Sequence, residues 1–111
     1  MARLTDPEIL ASFQHALSQW QFTGYITWKP IARQWIEQNL EGLTTRSIGE
    51  AMFRFFTAGG EIDQVREMRS QWSEHRFHYD FRMDLGGRLL YIETIVIEDD
   101  PTVHVVSIHD A

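Results

Sequence analysis

The chain has 111 residues, a length that fits one domain, and its 43% hydrophobic and 13% aromatic residues are enough to build a core. It contains no cysteine, which excludes disulfide bonds, zinc–thiolate sites and thiol catalysis. The net charge of -6 lies entirely in residues 61–111, where five basic side chains accompany eleven acidic ones, so any RNA would have to bind through a local arginine site only.

The sequence predicts a soluble cytoplasmic protein with no membrane partner. No stretch approaches the roughly 20 apolar residues that cross a bilayer. Arg3 near the start is not followed by an apolar run of the kind found in secretory signals.

Three helices are predicted in the first part of the chain. Asp6-Pro7-Glu8 combines a capping residue, a proline suited to the first helical position and an acid at the positive end of the helix dipole. Pro30 opens a second helix that ends before Gly42. The apolar side of this second helix is formed by Ile31, Trp35, Ile36 and Leu40. A third helix runs from about Thr45 to Thr57, where apolar residues recur at helical spacing.

Two further segments have weaker patterns. Phe22–Trp28 mixes aromatic and β-branched residues around Gly24 and predicts a short strand. Residues 62–72 predict a fourth helix, because Ile62, Val65, Met68/Arg69 and Trp72 follow a helical period.

Strands dominate the last part of the chain. Apolar and polar residues alternate over Phe77–Leu85, and Gly86-Gly87 fits a two-residue hairpin turn into a second strand, Arg88–Ile97. A third strand, Val103–His109, follows an acidic turn. The predicted fold is therefore a single α+β domain over residues 1–111, with three or four helices (about 6–72) packed on one face of a three- to four-stranded antiparallel sheet (about 76–109).

The hairpin turn fixes the register of the predicted sheet. If Leu85 faces Arg88, then Asp80 faces Glu93, and alternate residues of the two strands form a coherent apolar face. For the next hairpin we predict Ile97 opposite Val103, which sends Val106 and Ile108 to the core.

A polar second face results from this register. It carries two histidines, two carboxylates, an arginine, a tyrosine and a serine: His78, Asp80, Arg82, Tyr91, Glu93, Ser107 and His109. Because like charges directly opposite each other are destabilising, the Asp80–Glu93 pair requires a positive group nearby, whether Arg82, a histidine or a bound ion. Acid, base, cation and phenol together are the groups that general acid–base catalysis uses.

Two other interpretations of this face remain open. An antiparallel sheet often has one solvated face, on which Arg82 would simply neutralise the carboxylates. A metal site would use His78, Asp80, Glu93 and His109, but no close ligand spacing supports it, so we predict neither a metal nor another cofactor.

Two stretches of the chain resemble the RelE/MqsR superfamily of small bacterial toxins and their uncharacterised relatives. Residues 26–43, ITWKPIARQWIEQNLEGL, resemble the strand–helix opening of small RelE-like domains. The stretch HYDFR at 78–82, the strand at 87–97 and the strand at 103–108 resemble the closing strands of the family. Together these stretches cover about two-thirds of the chain.

The resemblance implies a metal-independent endoribonuclease, or a relative that has lost this activity. Tyr91 matches the tyrosine of the MqsR-like strand Val-Tyr-Leu-Lys, Arg82 would stabilise a phosphate, and Glu93 or His109 would activate a ribose 2′-hydroxyl. His78, Asp80 and Ser107 would bind substrate. The chain departs from the family pattern at Glu93, where the MqsR-like strand has lysine, and in its acidic charge.

The resemblance also implies a cognate antitoxin-like partner. The alternative hypothesis is a noncatalytic protein-interaction module, which would bind another protein or a second copy of the chain through the polar sheet face or a Trp-bearing helix surface. The sequence leaves open whether the protein is an enzyme.

Overall fold

In the computed structural model, which describes residues 2–70, 74–98 and 100–111, three helices accompany a six-stranded sheet. The elements in chain order are β1 (Ala2–Arg3), α1 (Pro7–Ser18), β2 (Ile26–Trp28), α2 (Pro30–Asn39), α3 (Thr45–Thr57), β3 (Ile62–Arg66), β4 (Phe77–Leu85), β5 (Arg88–Ile97) and β6 (Thr102–Asp110). Within the described ranges, none of the helices has the length and hydrophobicity of a membrane-spanning segment.

The sheet is larger than predicted, and it is mixed. Its strand order is β1-β3-β4-β5-β6-β2, and β2 runs parallel to β6 whereas the other neighbours are antiparallel. The prediction of three or four antiparallel strands over residues 76–109 was therefore incomplete. The short strand predicted within Phe22–Trp28 is confirmed as the three-residue β2, whereas β1 holds only two residues, too few for a periodic pattern to reveal.

The predicted fourth helix is wrong over residues 62–66. This segment forms β3 and pairs with β4, with Ile62 opposite Phe81 and Arg66 opposite Phe77. Pairing with an otherwise open edge of β4 outweighs the helical spacing of its apolar residues, because the pairing satisfies a row of backbone groups on both strands. Trp72, the last apolar residue of the predicted helix, lies outside the described residues.

The predicted starts of α1, α2 and α3 are confirmed. The Asp6 side chain accepts a hydrogen bond of 2.9 Å from the backbone N–H of Glu8, and Thr44 forms a capping box with Ser47 before α3. The apolar side of α2 is only partly buried, since Ile36 is 1% exposed whereas Ile31 is 60% exposed.

Aromatic packing joins the helices to the sheet. The ring of Phe13 in α1 is fully buried and meets Tyr79 and Phe81 of β4 edge-on, each with 5.6 Å between ring centroids. Each such pair contributes about 0.5–1.5 kcal/mol beyond the area that it buries. The core therefore lies between the helices and one face of β4, β5 and β6, and the polar residues are left on the opposite face.

The predicted β4–β5 hairpin is confirmed. Gly86 and Gly87 have φ of 62° and 89°, a conformation that favours glycine and matches the twist of a two-residue turn. The ladder then runs from Leu85 opposite Arg88 to Tyr79 opposite Thr94, with Asp80 opposite Glu93.

The predicted pairing of β5 with β6 is correct for one half of the two strands and wrong for the other half. Glu93 faces Ser107 and Tyr91 faces His109, as expected, but a bulge between Glu93 and Thr94 shifts the other half by one residue. Ile97 consequently faces Thr102 and not Val103, and Val106 is buried outside the main core, whereas Ile108 lies in it. An unbroken register would have turned His104 toward the core, and the bulge places Val103 and Val105 there instead.

Candidate functional site

The polar face predicted from the sequence exists, and all seven predicted residues lie on it. We call the side of β3–β6 that carries them the second face. Arg82, Tyr91 and His109 lie side by side on β4, β5 and β6. Asp80, Glu93 and Ser107 form the adjacent row, and His78 lies on β4 next to Asp80. Which of them bind a ligand or take part in catalysis stays a prediction.

A row of three carboxylates crosses the second face. Asp63 of β3 lies opposite Asp80, which in turn lies opposite Glu93. Asp80 is only 2% exposed and Glu93 only 9%. Burial of adjacent like charges is costly, so each carboxylate needs a donor or a cation in contact with it.

Asp80 is held by a histidine and a tyrosine. Its Oδ1 lies 2.9 Å from Nδ1 of His78, and its Oδ2 accepts a hydrogen bond from the hydroxyl of Tyr91. Because a carboxylate only accepts hydrogen bonds, Nδ1 of His78 carries a proton, and Nε2 is the nitrogen left for other chemistry. Asp80 therefore orients both rings.

Arg69 neutralises the other end of the row. Its Nε and Nη2 each donate a hydrogen bond of 2.9 Å to Glu67, and Nη2 also contacts Glu93. The Glu67 side chain is only 1% exposed, and the bonds from Arg69 lower the pKa of its carboxyl from 4.5 to about 2. The same contacts raise the pKa of Arg69 above its ordinary value.

The described residues that follow β3 bring Arg69 over part of the second face. The backbone N–H of Glu67 donates a hydrogen bond of 2.8 Å to the carbonyl of Arg76, so the connection between β3 and β4 leaves and rejoins the sheet at one point. Arg69 lies within it and reaches Glu93. The interpretation of a fully solvated face is therefore wrong at Asp80 and Glu93.

Sequence reasoning missed Asp63, Glu67 and Arg69. The Asp80–Glu93 conflict did predict a nearby positive group, and His78 beside Asp80 is one of the groups considered. Arg82, another of them, has its Nη1 3.7 Å from Asp63. The segment that carries Arg69 was predicted to be helical, which hid the pairing of Glu67 with Arg69 two residues along the chain.

Arg82, Tyr91 and His109 form a stack at the open side of the second face. The Arg82 guanidinium lies 5.5 Å from the Tyr91 ring centroid, and the rings of Tyr91 and His109 stack at 4.9 Å with a 22° angle between their planes. His109 is exposed, and 48% of the Arg82 side chain is exposed. This stack is the part of the face where a ligand could reach a cation and a base together.

The ring nitrogens of His109 have different surroundings. Nδ1 lies 2.8 Å from the carbonyl of Asp110, and because a carbonyl only accepts, this nitrogen carries a proton. Nε2 is then the proton acceptor of the neutral ring. Burial, followed by the hydrogen bond to Asp80, raises the pKa of the neighbouring Tyr91, so its phenol stays protonated and acts as a donor.

In the structure, the side chains grouped closely enough to bind a metal ion differ from the four that the sequence suggested. Among the described residues, the group whose ligand-type atoms lie within 4.8 Å of one another is Glu67, His78 and Glu93, without Asp80 or His109. The guanidinium of Arg69 already contacts both glutamates. A metal ion at these three side chains would have to displace that guanidinium.

Comparisons of the chain with protein-family models, with curated proteins and with solved structures find no match.

Proposed function

We propose that this protein is a RelE-like acid–base domain that acts on RNA without a metal ion, or a relative that keeps RNA binding and has lost cleavage. The observation that carries the proposal is the stack of Arg82, Tyr91 and His109, which presents a cation on β4 and a base on β6, on either side of Tyr91. Tyr91 lies between them on β5 and is held by its hydrogen bond to Asp80.

Each residue of the stack has a distinct role in this proposal. Arg82 binds a phosphate oxygen through its exposed guanidinium. Nε2 of His109 takes the proton of a ribose 2′-hydroxyl, whose oxygen attacks the adjacent phosphorus to give a 2′,3′-cyclic phosphate. The 5′-oxygen leaves and receives a proton from solvent. Tyr91 positions both neighbours by packing against them.

We assign the role of base to His109 and not to Glu93. Glu93 is 9% exposed and its carboxylate is bonded to Arg69, so a substrate would have to break that ion pair to use it. In this assignment, a structural role falls to three other side chains, whose hydrogen bonds and ion pair hold the second face together: Glu93, His78 and Asp80. Ser107, half-buried opposite Glu93, is the remaining proposed substrate-binding residue.

The test is an amide-correlation NMR titration of the labelled protein with a short single-stranded RNA at low salt. We expect shifts concentrated at residues 78–82, 91–93 and 107–109. The double variant Arg82→Ala/Tyr91→Phe should weaken RNA binding by about tenfold or more, because it removes a charge-assisted contact to phosphate. The matched control is Arg54→Ala, which removes an exposed arginine of α3 that pairs with Glu50.

Each possible result of this titration leads to a different conclusion about the proposed function. If the spectrum is well dispersed and RNA causes no shifts, the proposal is wrong. Equal RNA affinity in the double variant and in the Arg54→Ala control would remove Arg82 and Tyr91 from the site. RNA binding without products that end in a cyclic phosphate would identify a relative without cleavage activity.

A protein-interaction module is the second candidate, and the surface of α2 favours it. Ile31 is 60% exposed, and the half-buried ring of Trp35, one turn further along, lies 5.3 Å beneath the Arg88 guanidinium. The partner would be a cognate antitoxin-like protein or a second copy of the chain. Analytical ultracentrifugation tests the second copy: a concentration-dependent dimer that Ile31→Asp abolishes would support it, and a monomer at all concentrations would exclude it.

A further inference from the structure

A cleft that shares no lining residue with the stack has the chemistry of a ligand site. It lies between the chain that follows α1, the strand β2 and the first turns of α2 and α3, and its volume is about 350 Å³. Pockets for small molecules begin at roughly 300 Å³. We call it the arginine cleft because Arg33 and Arg46 line it. It shares no residue with the second face.

The charge of the arginine cleft is opposite to that of the protein. The chain has 16 acidic and 10 basic residues, yet among the described residues no aspartate or glutamate lines this cleft. Arg33 and Arg46 are exposed, and neither forms an ion pair within the described ranges. Within the described residues, five other arginines pair with a carboxylate: Arg3, Arg54, Arg69, Arg82 and Arg88. Two unpaired guanidinium groups in one concavity favour an anion.

Aromatic side chains line the arginine cleft together with the two arginines. Trp20, Phe22 and Trp28 line the cleft, and the Phe22 side chain is 62% exposed. The guanidinium of Arg46 lies 5.6 Å from the Trp20 ring centroid, so a cation and a flat π-surface are presented together. The half-buried Thr45, in the first turn of α3, adds a hydroxyl at a helix end where the dipole favours negative charge. A ligand that fits must be both planar and anionic.

We propose that the arginine cleft binds a small planar aromatic ligand that bears an anionic group, with the ring against Trp20 and Trp28 and the anion between Arg33 and Arg46. The proposal does not depend on RNA binding at the second face. A nucleoside monophosphate and an aromatic carboxylate share this chemistry, and they differ in the charge and geometry of the anion.

The experiment is an NMR titration of the full chain with AMP, adenosine, inorganic phosphate and indole-3-acetate as separate probes. We expect AMP or indole-3-acetate to shift the indole N–H signals of Trp20 and Trp28 and the amide signals of Thr45 and Arg46. Adenosine and phosphate alone should bind at least about tenfold more weakly, because each lacks one half of the recognised chemistry. Tighter binding of AMP would identify a phosphate ligand, and tighter binding of indole-3-acetate a carboxylate.

Matched variants decide whether the arginines act as proposed. Arg33→Gln and Arg46→Gln should each lower the affinity for the tighter probe by about tenfold, because each removes a charge-assisted contact. Arg54→Gln is the control, since Arg54 lies on α3 but outside the cleft and pairs with Glu50. The proposal is overturned if neither AMP nor indole-3-acetate shifts these signals at millimolar concentration. It is also overturned if both cleft variants bind as tightly as the Arg54→Gln control.

Discussion

Replacing Arg69 with alanine is expected to lower the free energy of unfolding by about 3 kcal/mol at neutral pH. The guanidinium contacts the carboxylates of both Glu67 and Glu93. Without it, two largely buried negative charges would lose their cation, and one of them, Glu93, lies directly opposite Asp80. Breaking a fully buried pair costs about 3–5 kcal/mol, and the lower end applies here because 38% of the Arg69 side chain is exposed to screening solvent.

The cost of the Arg69 replacement should depend on pH in a defined direction. The pKa of Glu67 is lowered from 4.5 to about 2 in the folded protein. A carboxyl with a lowered pKa contributes stability that is present above its unfolded value and is lost as the pH falls through its folded value. The difference between wild type and Arg69→Ala should therefore be largest at neutral pH and shrink between pH 4.5 and about 2. Urea unfolding across this range measures it.

Arg54→Ala is the matched control for Arg69→Ala. Its ion pair with Glu50 lies on the surface of α3, where 74% of the arginine side chain is exposed. Exposed pairs contribute about 0–1 kcal/mol, so this variant should remain close to wild type. Arg69→Lys retains the charge without the two parallel hydrogen bonds to Glu67 and should fall between wild type and Arg69→Ala. Equal losses in Arg54→Ala and Arg69→Ala would mean that Arg69 does not hold the carboxylate row.

The parts of this fold that sequence reasoning predicted well are those with strong local signals. The alternation over Phe77–Leu85 and the two glycines of the turn fix the β4–β5 hairpin, because a slip of one residue would expose its entire apolar face. Thr45–Thr57 has the bounds predicted for it, since its apolar spacing and its capping residues agree. From the hairpin pattern the polar face and the opposition of Asp80 and Glu93 followed.

The parts that could not be predicted depend on contacts between distant segments. Ile62–Arg66 is a strand because it pairs with the edge of β4. The local sequence around Ile62–Arg66 does not reveal this pairing, because β4 begins only at Phe77. The bulge beside Glu93 places Val103 and Val105 in the core while Ser107 and His109 stay on the second face. A β6 strand paired in one continuous register could not place both pairs of residues in this way. Arg69 reaches Glu93 from residues 67–69, which follow β3 and belong to neither a helix nor a strand, so periodicity could not place it.

Replacing His109 with alanine is expected to lower RNA cleavage roughly 100- to 10,000-fold, the range over which a positioned general base accelerates proton transfer. This follows from the proposed role of Nε2, which is the acceptor nitrogen because Nδ1 faces the carbonyl of Asp110. The effect should lie in the rate of cleavage and not in binding, since Arg82 would still contact the phosphate. Single-turnover cleavage of a labelled RNA, together with the NMR titration, measures the two quantities separately.

His15→Ala is the matched control for His109→Ala, because His15 is an exposed histidine of α1 whose ring contacts Tyr25 and not the second face. It should cleave RNA at the wild-type rate. The loss of the Tyr91–His109 stack costs about 0.5–1.5 kcal/mol, so His109→Ala should remain folded and its RNA-induced shifts at residues 78–82 should persist. If His109→Ala cleaves at the wild-type rate while Arg82→Ala/Tyr91→Phe does not bind, the base lies elsewhere on the face. His78 is then the next residue to replace, because its Nδ1 faces Asp80 and its Nε2 is the acceptor nitrogen of the neutral ring.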